Sequence, residues 1–174
     1  DKHLPSVEEV EADEAESEAL DALAEGDTAS ALEHLQHAVA TDPANDEARF
    51  DYVKLLLQLG REDDAKVAFA PVIAKAAGSR RLGALKDWMD ALDFVAASAY
   101  GESAGAEFDA KIAANKRDFE ARFGRARWLM AQQRWTEAMD ELLEILMRDK
   151  AWSEEAARKT YVAILEIIEQ PKVK

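Results

Sequence analysis

Apolar residues recur every three to four positions along most of the chain, which is the spacing of one face of an α-helix. Short polar stretches that contain Gly or Pro, such as those at Gly26 and Pro43, separate the apolar runs and are typical of helix ends. The pattern predicts helices at about residues 7–25, 28–41, 45–60, 62–76, 80–99, 103–115, 118–132, 135–148 and 153–169. The sequence therefore indicates an all-α protein.

One short sequence occurs twice along the chain. Residues 47–50 and 120–123 both read EARF, 73 residues apart. Four alanines follow a related spacing of 34, 39 and 34 residues: Ala31, Ala65, Ala104 and Ala138. Each is followed four residues later by a large apolar residue: Leu35, Phe69, Phe108 and Leu142. A small alanine lets two helices approach closely, and the large residue one turn later fills the gap between them.

The spacing points to a known repeat. A helix–turn–helix period of 34 residues, with Ala-x3-Phe in the second helix and a late Pro, is typical of tetratricopeptide repeats. The stretch GDTASALEHLQHAVATDP, from Gly26 to Pro43, resembles this pattern. We expect a tetratricopeptide-like helical-repeat solenoid of about four helix pairs plus a C-terminal capping helix, the third pair being widened by five residues. It would span residues 7–174, after a linker remnant at residues 1–6. Three tryptophans are expected between helices: Trp88, Trp128 and Trp135.

The closing segment carries more apolar residues than a solvated helix needs. Tyr161, Leu165 and Ile168 fall on one helical face, which Ile164 and Ile167 extend. A helix start is predicted at Ser153, Glu154 and Glu155. One interpretation is a cap that covers the end of the repeat. The other is a docking surface that stays exposed for a partner.

The charge of the chain disfavours nucleic acid as a partner. The formal net charge is −14, and nucleic-acid binding requires a dense basic surface. The chain also lacks an apolar run of about 18 residues, the length a membrane span needs. A local basic patch consists of Lys111, Lys116, Arg117, Arg122, Arg125 and Arg127. It is interpreted either as a solvated face or as an intramolecular partner for the strongly acidic residues 1–34.

Catalytic chemistry finds little support in the sequence. There is no cysteine, and no phosphate-binding loop or nucleophile elbow is present. His34 and His37 lie three residues apart on one predicted helix, beside Glu33, a spacing that could bring two imidazoles near one metal ion. No third ligand is evident, so a surface histidine pair is the preferred interpretation. We therefore expect no enzyme activity and no cofactor.

The first helix of each pair supplies the candidate partner-binding residues, because stacked repeats present these helices on their concave side. The candidates are Phe50, Lys54, Leu57, Phe123, Arg127 and Met130, with Ile164, Ile167 and Ile168 on the closing helix. The alternative for Phe50 and Phe123 is the core between repeats. Acidic residues nearby disfavour a groove that grips a C-terminal carboxylate: Asp51, Asp87, Asp90 and Asp93.

Three stretches resemble the helical region of a bacterial thioredoxin-like chaperone family called YbbN or chaperedoxin. They read KHLPSVEEVEADEAESEALDALAEGDTASAL, DEARFDYVKLLLQLGREDDA and WSEEAARKTYVAILEII, in that order. In this family a thioredoxin-like domain precedes the helical repeats. The resemblance implies binding of unfolded clients and their transfer to the chaperonin, with the C-terminal helix in chaperonin contact. The thioredoxin-like domain is absent from these residues, so they carry no redox role.

The expected function is therefore that of a non-catalytic protein-binding module, the client- or chaperonin-binding region of a thioredoxin-like chaperone. The alternative is a generic tetratricopeptide scaffold or adaptor in another protein assembly. Expected partners are unfolded client proteins and the chaperonin, with no nucleic acid and no membrane. The resemblance implies a cytoplasmic protein, and the sequence leaves the oligomeric state open.

Overall fold

A computed structural model describes residues 4–98 and 103–169. Within these ranges the chain is α-helical and contains no strand. The α-helices are α1 Val7–Ala24, α2 Thr28–Thr41, α3 Asp46–Gln58, α4 Glu62–Phe69, α5 Arg80–Ala96, α6 Ala104–Ala114, α7 Phe119–Ala131, α8 Trp135–Arg148 and α9 Trp152–Ile168. This confirms the all-α helical-repeat fold that the sequence predicts.

Some sequence predictions fall beyond the described ranges. Residues 1–3 of the predicted linker remnant, residue 99 at the predicted end of the fifth helix and residues 170–174 of the predicted domain lie outside them. The boundary between linker and domain stays a prediction. In the described part of that segment, Leu4 is exposed and non-helical. No described helix combines the length and hydropathy that crossing a membrane requires.

Polar side chains fix where several helices begin. The Asp27 carboxylate accepts a hydrogen bond from the Ser30 amide at 3.1 Å, and Ser79 does the same for Leu82 at 3.2 Å. Each bond satisfies one of the amide groups that the first turn of a helix leaves without an acceptor. Asn45 and Asp118 cap the equivalent starts of α3 and α7. These caps explain why the starts lie within one residue of the predicted positions.

The fourth helix is shorter than predicted. The sequence predicts one helix over 62–76, but α4 ends at Phe69 and a 3₁₀ segment, Ala70–Gly78, follows. Pro71 accounts for the change, because it has no N–H to donate to the carbonyl four residues earlier and its ring crowds that carbonyl. The chain therefore tightens into 3₁₀ geometry immediately around the proline.

The chain divides into two compact units at Lys75 and Ala76. In the first unit, α1 packs against α2, α2 against α3, and α3 against α4. The buried residues of α1 are all alanines: Ala12, Ala15, Ala19 and Ala22. Small side chains allow the helix axes to approach closely. On this side of the first unit, α1 therefore packs through close contact at its own small residues and not through large buried side chains.

The second unit is organised around α7. This helix packs against α5, α6 and α8, and α9 packs against both α5 and α8. Trp88 is buried and meets Trp135 edge-on, with ring centroids 4.8 Å apart. Trp128 lies against Gly105, where an added Cβ would come within 2.5 Å of the indole. The expectation that these tryptophans pack between helices is confirmed.

The predicted spacing of small and large core residues in the repeats is confirmed. Ala31, Ala65, Ala104 and Ala138 are all buried, and so are the large residues four positions after each of them. The third pair differs from the others, because the main neighbours of α5 are α7 and α9 and the main neighbour of α6 is α7. Phe94 and Phe108 stack between α5 and α6, with ring centroids 6.2 Å apart.

The start of α9 differs from the prediction. Ser153, Glu154 and Glu155 do not form a right-handed first turn, because all three have positive φ, between 50° and 64°. Three consecutive L-residues in this region cost roughly 1–2 kcal/mol each. No side chain caps the helix at Ala151. The turn places Trp152 against α7, and burial of the indole offsets part of the backbone cost.

Candidate partner-binding groove

Three predicted groove residues belong to the core. Phe50, Leu57 and Met130 are 1%, 3% and 0% exposed, so their side chains offer no surface to a partner in this conformation. On α3 the helix face that carries Phe50 and Leu57 packs inward, which supports the core interpretation of Phe50. Lys54 is half-buried, with its Nζ 6.0 Å from the centroid of the Phe50 ring.

Two other predicted residues, Phe123 and Arg127, lie together in a groove of the second unit. The groove has a volume of about 530 Å³. It is formed by the ends of α5 and α6, one face of α7 and the start of α9. Its lining consists of Phe94, Phe108, Lys111, Asp118, Glu120, Ala121, Phe123, Gly124, Arg127, Trp152 and Ser153. We call this the aromatic groove.

Aromatic rings and an arginine form a continuous stack along the aromatic groove. The Arg127 guanidinium carbon lies 4.5 Å from the Phe94 ring centroid and 5.7 Å from that of Phe123. The Trp152 ring follows, 5.5 Å from Phe123 and 6.1 Å from Phe119. These distances are within the range of cation–π and tilted aromatic contacts. Phe94, Phe123 and Trp152 each keep part of their surface exposed.

The Arg127 side chain has an unusual electrostatic environment. Its Nη2 donates to the Asp90 carbonyl oxygen at 3.3 Å. Burial lowers the pKa of Arg127, and the carboxylates of Asp90 and Asp87 partly counteract this effect. Burial, with the nearby Asp90, also raises the pKa of Asp87 to about 6. A guanidinium held between two rings and little hydrated is suited to contact apolar and aromatic groups.

The four acidic residues predicted to line one groove are distributed over both units. Asp51 is on α3 in the first unit, whereas Asp87, Asp90 and Asp93 are on α5 in the second. Asp90 forms an ion pair with Lys86 at 2.8 Å. The aromatic groove itself is lined by two basic and two acidic residues, so its lining is close to neutral.

The closing helix α9 has a buried side and an exposed side. Ile164 and Ile167 are buried, as the capping interpretation expects, so their side chains offer little surface to a partner in this conformation. Leu165 and Ile168 are 44% and 37% exposed. Tyr161 is half-buried beside them. The apolar excess of this helix is therefore divided between a core face and a narrower exposed strip.

Two arginines of the predicted basic patch, Arg122 and Arg125, form ion pairs inside the second unit. Arg122 Nη1 donates to Glu141 Oε1 at 2.6 Å, and Arg125 Nη1 donates to Glu141 Oε2 at 3.1 Å. Arg125 also contacts Asp109 at 2.8 Å. These groups border a charged cavity of about 460 Å³ between α7 and α8. The contacts join α6, α7 and α8, which identifies Arg122 and Arg125 as structural residues.

The two histidines of α2 reach different partners. His34 Nδ1 lies 3.2 Å from a Glu18 carboxylate oxygen, and His37 Nε2 lies 3.4 Å from the Thr41 hydroxyl. Over the described ranges, no three His, Asp or Glu side chains are grouped so as to hold a metal ion.

Sequence reasoning missed Phe94 and Trp152 as groove residues and treated Phe108 only as a repeat core position. Phe94 and Phe123 lie on different helices, α5 and α7. Their spacing along the sequence therefore does not predict that they line the same groove. Trp152 reaches the groove through the left-handed turn, which the residue types Ser-Glu-Glu do not predict. The concentration of aromatic residues in the sequence of the second unit could have indicated an aromatic surface there.

Comparison with known proteins supports the repeat assignment. Two family models, each described as tetratricopeptide repeat, match residues 22–88 and 98–173. A search of the curated proteins found no match. Repeats of this kind are generally modules for protein–protein interaction. The matched helices, the buried alanines at spacings of 34, 39 and 34 residues and the paired-helix packing together identify a tetratricopeptide-repeat region.

Proposed function

We propose that the chain is a non-catalytic protein-binding module and that the aromatic groove holds apolar segments of its partners. The observation that carries the proposal is the stack of Phe94, Arg127, Phe123 and Trp152, which lines a groove and stays partly exposed. Aromatic residues and arginine are the side chains that contribute most to binding at protein interfaces. The nearly neutral lining favours apolar recognition over capture of a charged tail.

The partners that we propose are unfolded client proteins. An unfolded chain exposes the apolar side chains that a folded protein buries, and an aromatic groove accommodates many such side chains without strict sequence requirements. The resemblance to the thioredoxin-like chaperone family supports this choice. It also supports a cytoplasmic protein that transfers clients to the chaperonin.

For contact with the chaperonin we propose the exposed strip of α9, which contains Leu165 and Ile168. The two residues are three positions apart and share one helical face. They are exposed while the neighbouring Ile164 and Ile167 are core residues. A partner can therefore bind this strip without disturbing the packing of α9 on α5 and α8.

The direct experiment measures binding of a permanently unfolded protein, reduced and carboxymethylated lactalbumin, by fluorescence anisotropy. Phe123→Ala and Phe94→Ala should each weaken binding about tenfold or more, as expected for aromatic anchors. The matched control is Val67→Ala, because Val67 is 75% exposed on α4 and lies outside the aromatic groove. Equal affinities for the parent and both Phe variants would contradict the proposal.

The competing function is that of a generic adaptor, which would bind a folded partner and not unfolded chains. The same assay separates the two functions. An adaptor would show no affinity for the unfolded protein in the parent chain, whereas the proposed module binds it and loses affinity on substitution of Phe123. Loss of chaperonin binding in Leu165→Ser with unchanged client binding would assign the two partners to two surfaces.

A further inference from the structure

The side chain of Trp152 lies in the aromatic groove, against the two phenylalanines of α7. Its ring centroid is 5.5 Å from that of Phe123 and 6.1 Å from that of Phe119, with the planes tilted by 57° and 59°. Tilted contacts at these distances are favourable between aromatic rings. Phe119 is nearly buried, and Trp152 remains half-buried. The indole therefore covers apolar surface that would otherwise face the groove.

The backbone that holds Trp152 is in a conformation that its residues disfavour. Ser153, Glu154 and Glu155 all have left-handed φ and ψ, at 50° and 50°, 58° and 42°, and 64° and 30°. For L-residues this conformation is less favourable than the right-handed helix, and runs of such residues persist only where surrounding contacts hold them. Side chains of these residues do not cap α9. The contacts of the Trp152 ring oppose this strain, together with hydrogen bonds that the Ala151 and Trp152 amides donate to Asp149.

A right-handed alternative is available to the same three residues. Glu154 and Glu155 would then lie in the first turn of a longer α9, where acidic side chains interact favourably with the helix dipole. Adopting it would redirect the chain before Ser153 and withdraw the indole from Phe119 and Phe123. A right-handed turn at these three residues would thus change the covered groove of the structure into an open one.

Building on the proposed function, we propose that Trp152 occupies the place of a partner's aromatic side chain. A partner segment that bears an aromatic residue displaces the indole and takes over its contacts with Phe119 and Phe123. This displacement determines the kind of partner. The part of the aromatic groove that now holds the indole, against Phe119 and Phe123, fits another aromatic side chain. Segments with only small or aliphatic residues replace those contacts less completely and bind less tightly than aromatic segments.

The covered arrangement reduces apparent affinity, because a ligand binds only the open fraction of molecules. Removing the indole should therefore strengthen binding of an aromatic segment. Relieving the backbone strain while the indole is kept should favour the covered arrangement and weaken binding. Glycine at position 154 achieves this, because it adopts left-handed geometry without a steric cost.

The test uses a fluorescein-labelled peptide of glycine and serine with one central tryptophan, and a matched peptide with alanine in its place. Trp152→Ala should bind the tryptophan peptide about tenfold more tightly than the parent chain. Glu154→Gly should bind it about threefold less tightly. Glu154→Ala is the matched control, because it removes the same charge but remains an L-residue. It should bind like the parent, and the alanine peptide should bind all variants weakly.

Weaker binding by Trp152→Ala would show that the indole is a fixed wall of the groove, and the inference would be wrong. Equal binding by the parent and Glu154→Gly would also overturn it, and this variant keeps the indole and its packing. If the peptides do not bind as expected but unfolded lactalbumin still binds the parent through Phe123, the displacement of Trp152 is rejected and the proposed function is retained. If the parent fails to bind unfolded lactalbumin as well, both proposals fall.

Discussion

Arg49 and Arg122 occupy the same position of the repeat, 73 residues apart on α3 and α7, and only Arg122 forms an ion pair within the described residues. Arg122 meets the buried carboxylate of Glu141 on α8. At the position equivalent to Glu141 the first unit has Ala68, whose backbone carbonyl accepts from Arg49 Nη1 at 2.8 Å. In the described part of the chain, the buried Arg49 Nε has no hydrogen-bond acceptor.

Ala68→Glu should therefore stabilise the first unit. The new carboxylate would stand where Glu141 stands in the second unit, and a hydrogen bond to a charged group contributes about 1.5 kcal/mol. The measurement is the free energy of unfolding in urea, with Ala68→Gln as the neutral control of similar size. A glutamate variant no more stable than the glutamine variant would show that Arg49 is satisfied by backbone carbonyls alone.

The close helix contact at Ala65 gives a second prediction. Ala65 is fully buried on α4 at the repeat's small position, so Ala65→Leu should lower the free energy of unfolding by roughly 1–3 kcal/mol through overpacking. The exposed neighbour Val67 supplies the control, because Val67→Leu should change stability by less than about 0.5 kcal/mol. Similar urea midpoints for the two variants would contradict the assigned register.

Glu16 of α1 and Asp51 of α3 form a carboxyl pair that should make the stability of the first unit depend on pH. Burial raises the pKa of Glu16 to about 8, together with a hydrogen bond to Asp51 and the negative charges of Asp51, Glu47 and Asp13. This pKa lies above the ordinary value of 4.5. Between the two values the folded state keeps a proton that the unfolded state has lost. Stability should thus fall as the pH rises from about 4.5 through about 8.

Glu16→Gln should remove most of this dependence, because an amide cannot ionise. Urea unfolding at about pH 5 and about pH 9 should show a smaller loss of stability for the variant than for the parent chain. Glu14→Gln is the matched control, since Glu14 is exposed on the same helix. If the parent is as stable at the higher pH as at the lower, the Glu16 carboxyl is not protonated in the folded state.

The closing helix allows two adjacent isoleucines to be compared. Ile167 is 1% exposed and Ile168 is 37% exposed. Ile167→Ser should destabilise the second unit by about 3 kcal/mol or more, because it creates a cavity in the core, whereas Ile168→Ser should change stability only slightly. Thermal unfolding of the two single variants provides the measurement. Equal losses of stability would mean that the two faces of α9 are wrongly divided.

Much of the fold could be predicted from the sequence because helix periodicity and capping are local. The predicted positions of Ala31 and Ala138 in close helix contacts are confirmed, and so are the helix starts at Thr28 and Trp135. The sequence prediction of one helix over 62–76 did not include the end of α4 before Pro71. This end could have been predicted, because the effect of proline on a helix is local.

The aromatic groove was harder to predict because it depends on tertiary packing. Phe50 and Phe123 occupy equivalent positions of the repeat, but Phe50 is buried and Phe123 remains partly exposed. The two rings also differ in their neighbours, since Trp152 of α9 lies against Phe123 and Arg127 lies between Phe123 and Phe94 of α5. Helical periodicity alone places both phenylalanines on one face and cannot distinguish these environments.

The most direct test of the central claim is site-specific photo-crosslinking. Benzoylphenylalanine would replace Phe123, Phe94 or, as the control, the exposed Val67, and each variant would be irradiated with unfolded lactalbumin. The aromatic groove predicts strong crosslinks from positions 94 and 123 and little from position 67. Crosslinks from position 67 as strong as those from the groove, or none from either groove position, would contradict the claim that this groove binds apolar segments of other proteins.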